Sequence, residues 1–389
     1  MSQLVVGGIS ELFLVNESGD IDLLSDSAFI VEDGVFTWIG KEVELPEQKM
    51  KDLQQRAVIP GFVDSHTHLI FASDRVQEFE ARMAGTRYEA GGIMFTVNAT
   101  RAASDEQLIT AYQKRVAELL RNGITTFETK SGYGLNVQDE LRSLKLAATL
   151  TDEVTVLAAH VVPSEYRDKR SDYVKLVIEE ILPKGREYAR WVDVFCDEGA
   201  FTIEETRDIL EAATQLGYKK RLHASQLTAG EGVKLGIEMG CVSIDHCSHL
   251  SDDDISLLSD SGVIATLLPI AEFSTRSAFP NARQLIDSGV NVALSTDCNP
   301  GSSYSTSMSL VIALAVREMG MTPREALKAA TFMGARALQR SNVGVIGVGK
   351  RADFLVLDAP SHAHIPYRPG VDLIAEVFKR GHLVLDKGM

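Results

Sequence analysis

From about residue 59 the chain alternates short apolar, β-branched runs with longer stretches whose apolar residues recur at helical spacing. The runs predict strands at Gly61 to His66, Thr125 to Lys130, Thr155 to Val161, Trp191 to Asp197, Lys220 to Ala224, Val242 to His246, Val263 to Leu268 and Asn291 to Thr296. Helices are predicted between them, among them Asp105 to Asn122, Gln138 to Leu150, Tyr173 to Leu182, Ile203 to Leu216, Gly230 to Met239, Asp252 to Ser259 and Asn281 to Ser288. Several stop at a glycine that leads into the next strand, as at Gly123, Gly217, Gly240, Gly262 and Gly289, the usual way to terminate a helix. Such alternation means parallel strands joined by crossover helices, and eight of them close most economically into a (β/α)8, TIM-like barrel. No G-x-G-x-x-G turn follows the first run, so an open dinucleotide-binding sheet has no support.

The two ends of the chain read differently. Ala28 to Val31 and Val35 to Ile39 flank Asp33-Gly34, a favoured hairpin turn, and Glu376 to Lys379 and His382 to Leu385 flank Arg380-Gly381, with Ala352 to Leu357 as a further strand. Residues 1–58 and 344–389 are therefore expected to form one small β-sandwich built from both termini, with the barrel at 59–343 inserted between them. An α/β class of this size accommodates the 389 residues.

Charge and composition narrow the partners. With 54 acidic and 39 basic residues, the formal charge of -15 repels phosphate backbones and anionic lipid, so nucleic acid is not expected. No apolar run reaches the roughly 18 residues of a membrane span, the longest lying around Leu310 to Val316, and the N-terminus lacks a signal pattern; a cytoplasmic protein without membrane contact is expected. Cys196, Cys241, Cys247 and Cys298 form no C-x-x-C pair and read as buried, reduced thiols.

In barrels of this kind chemistry collects at the C-terminal ends of the strands, so polar residues there carry the functional signal. His66 and His68 close the first strand, His160 the third, His223 the fifth and His246 the sixth, and Asp297 follows the eighth. Two histidines separated by one residue on an extended segment point to one side and can share an ion. With His223 and Asp297 they make a ligand set suited to zinc or iron, with a position left for water. His362, His364 and His382 belong to the terminal segments, where a surface role is expected.

These residues sit in recognisable motifs. Pro60-Gly-Phe-Val-Asp-Ser-His-Thr-His68, Ser295-Thr-Asp297 and Gly349-Lys-Arg-Ala-Asp-Phe354 resemble the amidohydrolase superfamily over nearly the whole chain. Lys130-Ser-Gly-Tyr-Gly134, Ala159-His-Val-Val-Pro163, Leu222-His-Ala-Ser-Gln226 and Thr296-Asp-Cys-Asn-Pro-Gly-Ser302 are similar to its branch that opens an imidazolone ring in histidine degradation. The resemblance implies hydrolysis of the cyclic amide of a small molecule, 4-imidazolone-5-propanoate, to N-formimino-L-glutamate. It implies one divalent or trivalent metal ion per chain, Zn or Fe, on His66, His68, His223 and Asp297. Asp297 would take and return the proton of the attacking water, and His246 with Gln226 would steady the developing oxyanion or the water. Arg75 would grip the propanoate through paired hydrogen bonds. Tyr88, Tyr133 and His160 would contact substrate, and Asn299, Gly301 and Ser302 would form a loop against the ring. A homodimer is also implied.

Two departures from the family pattern stand out. The stretch Gly85 to Ile93 is shorter than in many relatives, which bears on Tyr88, and position 226 is Gln where some relatives have Glu, an amide that can orient water but not act as a base. A deaminase of the same superfamily usually needs an acidic shuttle at that place. Relatives with two metals carry a carboxylated lysine at the end of the fourth strand, which here ends in Asp197-Glu198, so a single ion is expected. A non-catalytic scaffold would be expected to lack one or more of the four ligands.

Overall fold

The computed structural model describes residues 3–45, 49–85 and 92–388. Five strands open the chain: β1 (Gln3–Val15), β2 (Ile21–Leu24), β3 (Ser27–Glu32), β4 (Val35–Lys41) and β5 (Lys51–Pro60). The middle of the chain supplies β6 (Phe62–Asp64), β7 (Ile124–Phe127), β8 (Thr129–Lys130), β9 (Val154–Ala159), β10 (Trp191–Cys196), β11 (Lys219–Ala224), β12 (Ser243–His246), β13 (Ile264–Leu267) and β14 (Asn291–Leu294). Three more close it: β15 (Phe354–Leu357), β16 (Ile374–Lys379) and β17 (His382–Asp386).

Both termini meet in one eight-stranded sheet of order β17-β16-β15-β5-β1-β3-β4, with β2 also on β1. All its pairings are antiparallel except β1 with β5. The two expected hairpins are present because their turn residues accept left-handed backbone: φ is +49° and +83° at Asp33-Gly34, and +51° and +72° at Arg380-Gly381. Alternate residues of these strands converge on a small apolar core that includes Val6, Ile9, Phe29, Phe36, Val58, Phe354 and Phe378. The Phe354 and Phe378 rings stack with centroids 4.3 Å apart.

β8 to β14 form a seven-stranded sheet in sequence order with every pair parallel, and β6 pairs with β7 in parallel. The predicted second strand is split at Glu128, whose N–H donates to Asp64 O at 2.9 Å. On its other side the first strand's extension meets the end of the eighth: Asp297 N donates to His66 O and His68 N to Cys298 O, each at 3.0 Å. The helices lie close to their predicted bounds, as at Asp105–Arg121, Ile203–Gln215 and Asp252–Ser261. Each of those three begins with a capping box, Ser104 with Gln107, Thr202 with Glu205 and Ser251 with Asp254, of the kind worth about 1 kcal/mol. Tyr173 to Leu182 is broken by a wide π-turn over Val177–Ile181. All five glycines named above have positive φ, consistent with their role as stops. No helix among the described residues is long and apolar enough to cross a membrane.

Candidate metal centre

The ends of the parallel strands bring the histidines together. His66 Nε2 and His68 Nε2 lie 3.3 Å apart, and Asp297 Oδ1 is 3.5 Å from the first and 3.3 Å from the second. Donor atoms of His66, His68 and His223 all fall within 4.8 Å of one another, as do those of His66, His246 and Asp297. All five side chains are buried. Electron-rich atoms so close, in a medium that does not screen them, call for a cation among them. Asp297 Oδ1 itself is buried with no hydrogen-bond partner, which suits an atom that a cation would bind.

Electrostatics favours the ligand form of the paired rings His66 and His68. Burial holds His66 and His68 well below the ordinary imidazole range, with Lys130 and His223 adding to it, so both rings are neutral. Burial also pushes the Asp297 carboxyl up, against the opposing pull of His246 and His223. Carboxylates stand on the far side of two rings: Asp245 Oδ2 is hydrogen-bonded to His66 Nδ1 at 2.7 Å, and Asp193 Oδ2 lies 2.9 Å from His223 Nδ1 outside hydrogen-bond geometry. A carboxylate on Nδ1 favours the proton there and leaves Nε2 free to bind, the usual outer partner of a metal-bound histidine. Backbone at the strand ends is left-handed at Ser225 (φ +54°), His246 (+81°), Cys247 (+55°) and Asp297 (+53°), which aims these side chains at a local cost.

Of the remaining sequence-based candidates, Arg75, Tyr133, His160, Gln226, Asn299 and Ser302 line the pocket that His68 and Asp297 share. His160 stacks on His68 (5.5 Å, 25°), with Nδ1 3.0 Å from Gly132 O. Tyr133 is buried with its ring 5.4 Å from His160. Gln226 is half-buried, its backbone N–H donating to Asp197 Oδ2 at 2.8 Å. Tyr88 lies outside the described residues.

The structure recasts the loop after β14. The Asn299 side chain is spent on the loop itself, accepting from Gly301 N and Ser302 N and donating to Asp297 O, each at 2.8 Å. Gly301 leaves room for an arginine: a Cβ there would stand 2.2 Å from Arg75 Nη1. Arg75 is buried, but its fork is already engaged by Glu78, with Nε and Nη2 each donating at 2.6 Å. Any carboxylate that used the same fork would compete with Glu78.

Several buried charges went unremarked in the sequence although it marks them. Asp193 interrupts Trp-Val-Asp-Val-Phe-Cys, Asp245 interrupts Ser-Ile-Asp-His, and Asp64 closes Phe-Val-Asp, each an acid inside an apolar strand. Such a residue is retained only where a partner offsets its desolvation. Glu272, buried in the helix Pro269–Thr275 after β13, accepts from Ser248 Oγ at 2.5 Å while its Oε2 has no partner. Burial raises its carboxyl to about 7 from 4.5, against the lowering effect of the Ser248 bond. The folded state thus binds this proton more tightly than the unfolded chain, so the stabilisation is full below pH 4.5 and is lost as pH rises through about 7. Glu272→Gln keeps an acceptor for Ser248 and removes the titration. Between pH 5 and pH 8 the variant should gain about 2–3 kcal/mol on the wild type; an unchanged difference in denaturation midpoints would refute it.

A further cavity of about 1290 Å³ lies elsewhere, lined by Leu14, Ile21, Cys241, Val263 and Phe332 where β12 and β13 begin, and holds none of these groups.

Comparison with known proteins places this architecture. The amidohydrolase family model matches residues 57–384, and the chain belongs to that family of metal-dependent hydrolases. It is 53% identical over 388 residues to the imidazolonepropionase of Mycolicibacterium smegmatis, covering 99% of this chain and 98% of that one. The imidazolonepropionase of Salinispora tropica is likewise 53% identical over 386 residues, 98% of each chain. Within the amidohydrolases the chain is thus a member of the imidazolonepropionases, hydrolases of carbon–nitrogen bonds in cyclic amides. Among solved structures, an atrazine chlorohydrolase variant from Arthrobacter aurescens, complexed with zinc and atraton, shares the fold at 16% identity and TM-score 0.75, over 98% of this chain and 95% of its own.

Proposed function

We propose that His66, His68, His223 and Asp297 hold one zinc or iron ion, and that the pocket beside it hydrolyses the cyclic amide of 4-imidazolone-5-propanoate to N-formimino-L-glutamate. The observation that carries this reading is the approach of Asp297 Oδ1 to both paired imidazoles, at 3.3 and 3.5 Å. Buried acids around the rings, among them Glu128, Asp193, Asp245 and Asp297, outnumber the buried bases Lys130 and Arg221 in contact with them, a balance that favours a cation at the centre. Such an ion would supply a Lewis acid and a water of lowered pKa.

The chain's own groups divide the remaining work. Asp297, which stands beside both paired imidazoles, takes the proton of the attacking water and delivers it to the departing ring nitrogen. His246, held neutral at about 3 by burial, donates a hydrogen bond to the oxyanion, with Gln226 orienting water. Arg75 receives the propanoate as Glu78 yields the fork, and Tyr133 and His160 wall the ring site; Tyr88 is assigned there from the family pattern alone. Asn299 shapes the loop on which Gly301 and Ser302 sit.

The same reading includes the finer architecture. The bonds joining the first strand to both the second and the eighth support closure of the parallel strands into a (β/α)8 barrel spanning 59–343. Segments 1–58 and 344–389, with their common apolar core, form the sandwich-like second domain. A homodimer in the cytoplasm is the state that family likeness supports. The test is direct: purified protein should consume the imidazolone, followed by its ultraviolet absorbance, and lose that activity on chelation and regain it with zinc or iron. Turnover that survives complete metal removal would refute the assignment.

A further inference from the structure

Lys130 is wholly buried at the end of β8, and no role in the reaction has been given to it. Its Nζ lies 2.9 Å from Glu128 Oε1 and 2.9 Å from Asp193 Oδ2. Each of these acids reaches a different part of the metal centre. Glu128 Oε2 accepts the backbone N–H of Thr67 at 3.0 Å, the residue between the paired histidines, and its backbone carbonyl accepts the Thr67 hydroxyl at 2.5 Å. Asp193 lies against His223, with Oδ2 2.9 Å from Nδ1 and Oδ1 accepting the backbone N–H at 3.2 Å. Thr155 on β9 donates its hydroxyl to Glu128 as well.

We propose that Lys130 is a positioning residue of this centre: its ammonium, clamped between Glu128 and Asp193, locks the His66–His68 segment and His223 into one register and keeps Asp193 available to His223 Nδ1. The proposal rests on the reading that His66, His68 and His223 hold the ion. Without the ammonium two buried carboxylates would face each other uncompensated, and one would take up a proton or turn away.

The sign of the effect separates this role from a simple charge. Coulomb's law alone says that removing a nearby ammonium tightens the binding of a cation. A positioning role says that it weakens binding, by about 10–100-fold as for other outer partners of metal-bound histidines. Zinc affinity is measured on the full chain by competition with a chelator, and the ligand field is read from the visible spectrum of the cobalt-loaded protein. Lys130→Met is expected to bind zinc about 10–100-fold more weakly with a shifted cobalt spectrum. Asp193→Asn should do the same, and the double variant should lose less than the sum of the two single losses, because Lys130 acts in part through Asp193. Lys130→Arg should recover part of the loss. A folded Lys130→Met with equal or tighter binding, or additive losses in the double variant, overturns the proposal while wild-type binding keeps the ligand reading intact. Should Lys130→Met not fold, Glu128→Gln decides: weaker zinc binding supports the clamp, and unchanged affinity overturns it. If the wild type itself binds no zinc or cobalt, it is the ligand reading that fails.

Discussion

His223→Ala should purify without its metal and with turnover lowered by roughly 1000-fold or more. The ring stands at the meeting of both halves of the site, its centroid 4.4 Å from that of His66, with Asp193 behind it. Alanine removes a proposed ligand and leaves Asp193 opposite Lys130 with no imidazole beside it, so affinity should fall by more than the about 10–100-fold that loss of an outer partner costs. Elemental analysis checks the metal and ultraviolet assays the turnover. Full occupancy in the folded variant would show that the ligand set is misassigned.

The second large effect concerns substrate and not the ion. Arg75→Ala should keep its metal and lose about 100- to 1000-fold in kcat/KM, the value of two charge-assisted hydrogen bonds to a propanoate. Because Glu78 holds the fork in the structure, the proposed role has the arginine oriented before substrate arrives and the incoming carboxylate replacing an internal one. Part of the binding energy is thereby used in displacing Glu78, which favours substrates whose carboxylate is firmly placed by other contacts. Unchanged kinetics would remove Arg75 from the site.

Much of the fold was legible because its signals are local. Eight parallel runs, the glycine stops and two hairpin turns each depend on a few adjacent residues, and the structure reproduces them within a residue or three. The loop after β14 was not legible in the same way. Asn299 lines the pocket and also ties its own loop, while Gly301 admits the side chain of Arg75, a residue more than 200 positions earlier in the chain. The carboxylates behind the histidines escaped notice for a related reason. An acid within an apolar strand signals burial, but its partner, as for Asp193 with Lys130 or Asp245 with His66, lies on another strand.

By itself the sequence determined which residues could bind an ion, the order of strands and helices, and the family, since residue type, periodicity and motif spacing are all written along the chain. Only the tertiary structure decided which atoms face one another: that Asp297 closes on the paired imidazoles, that Glu78 fills the arginine fork, and that one buried lysine joins two carboxylates. Those relations are set by where separate strands end against each other in space, and distance along the chain carries no record of them.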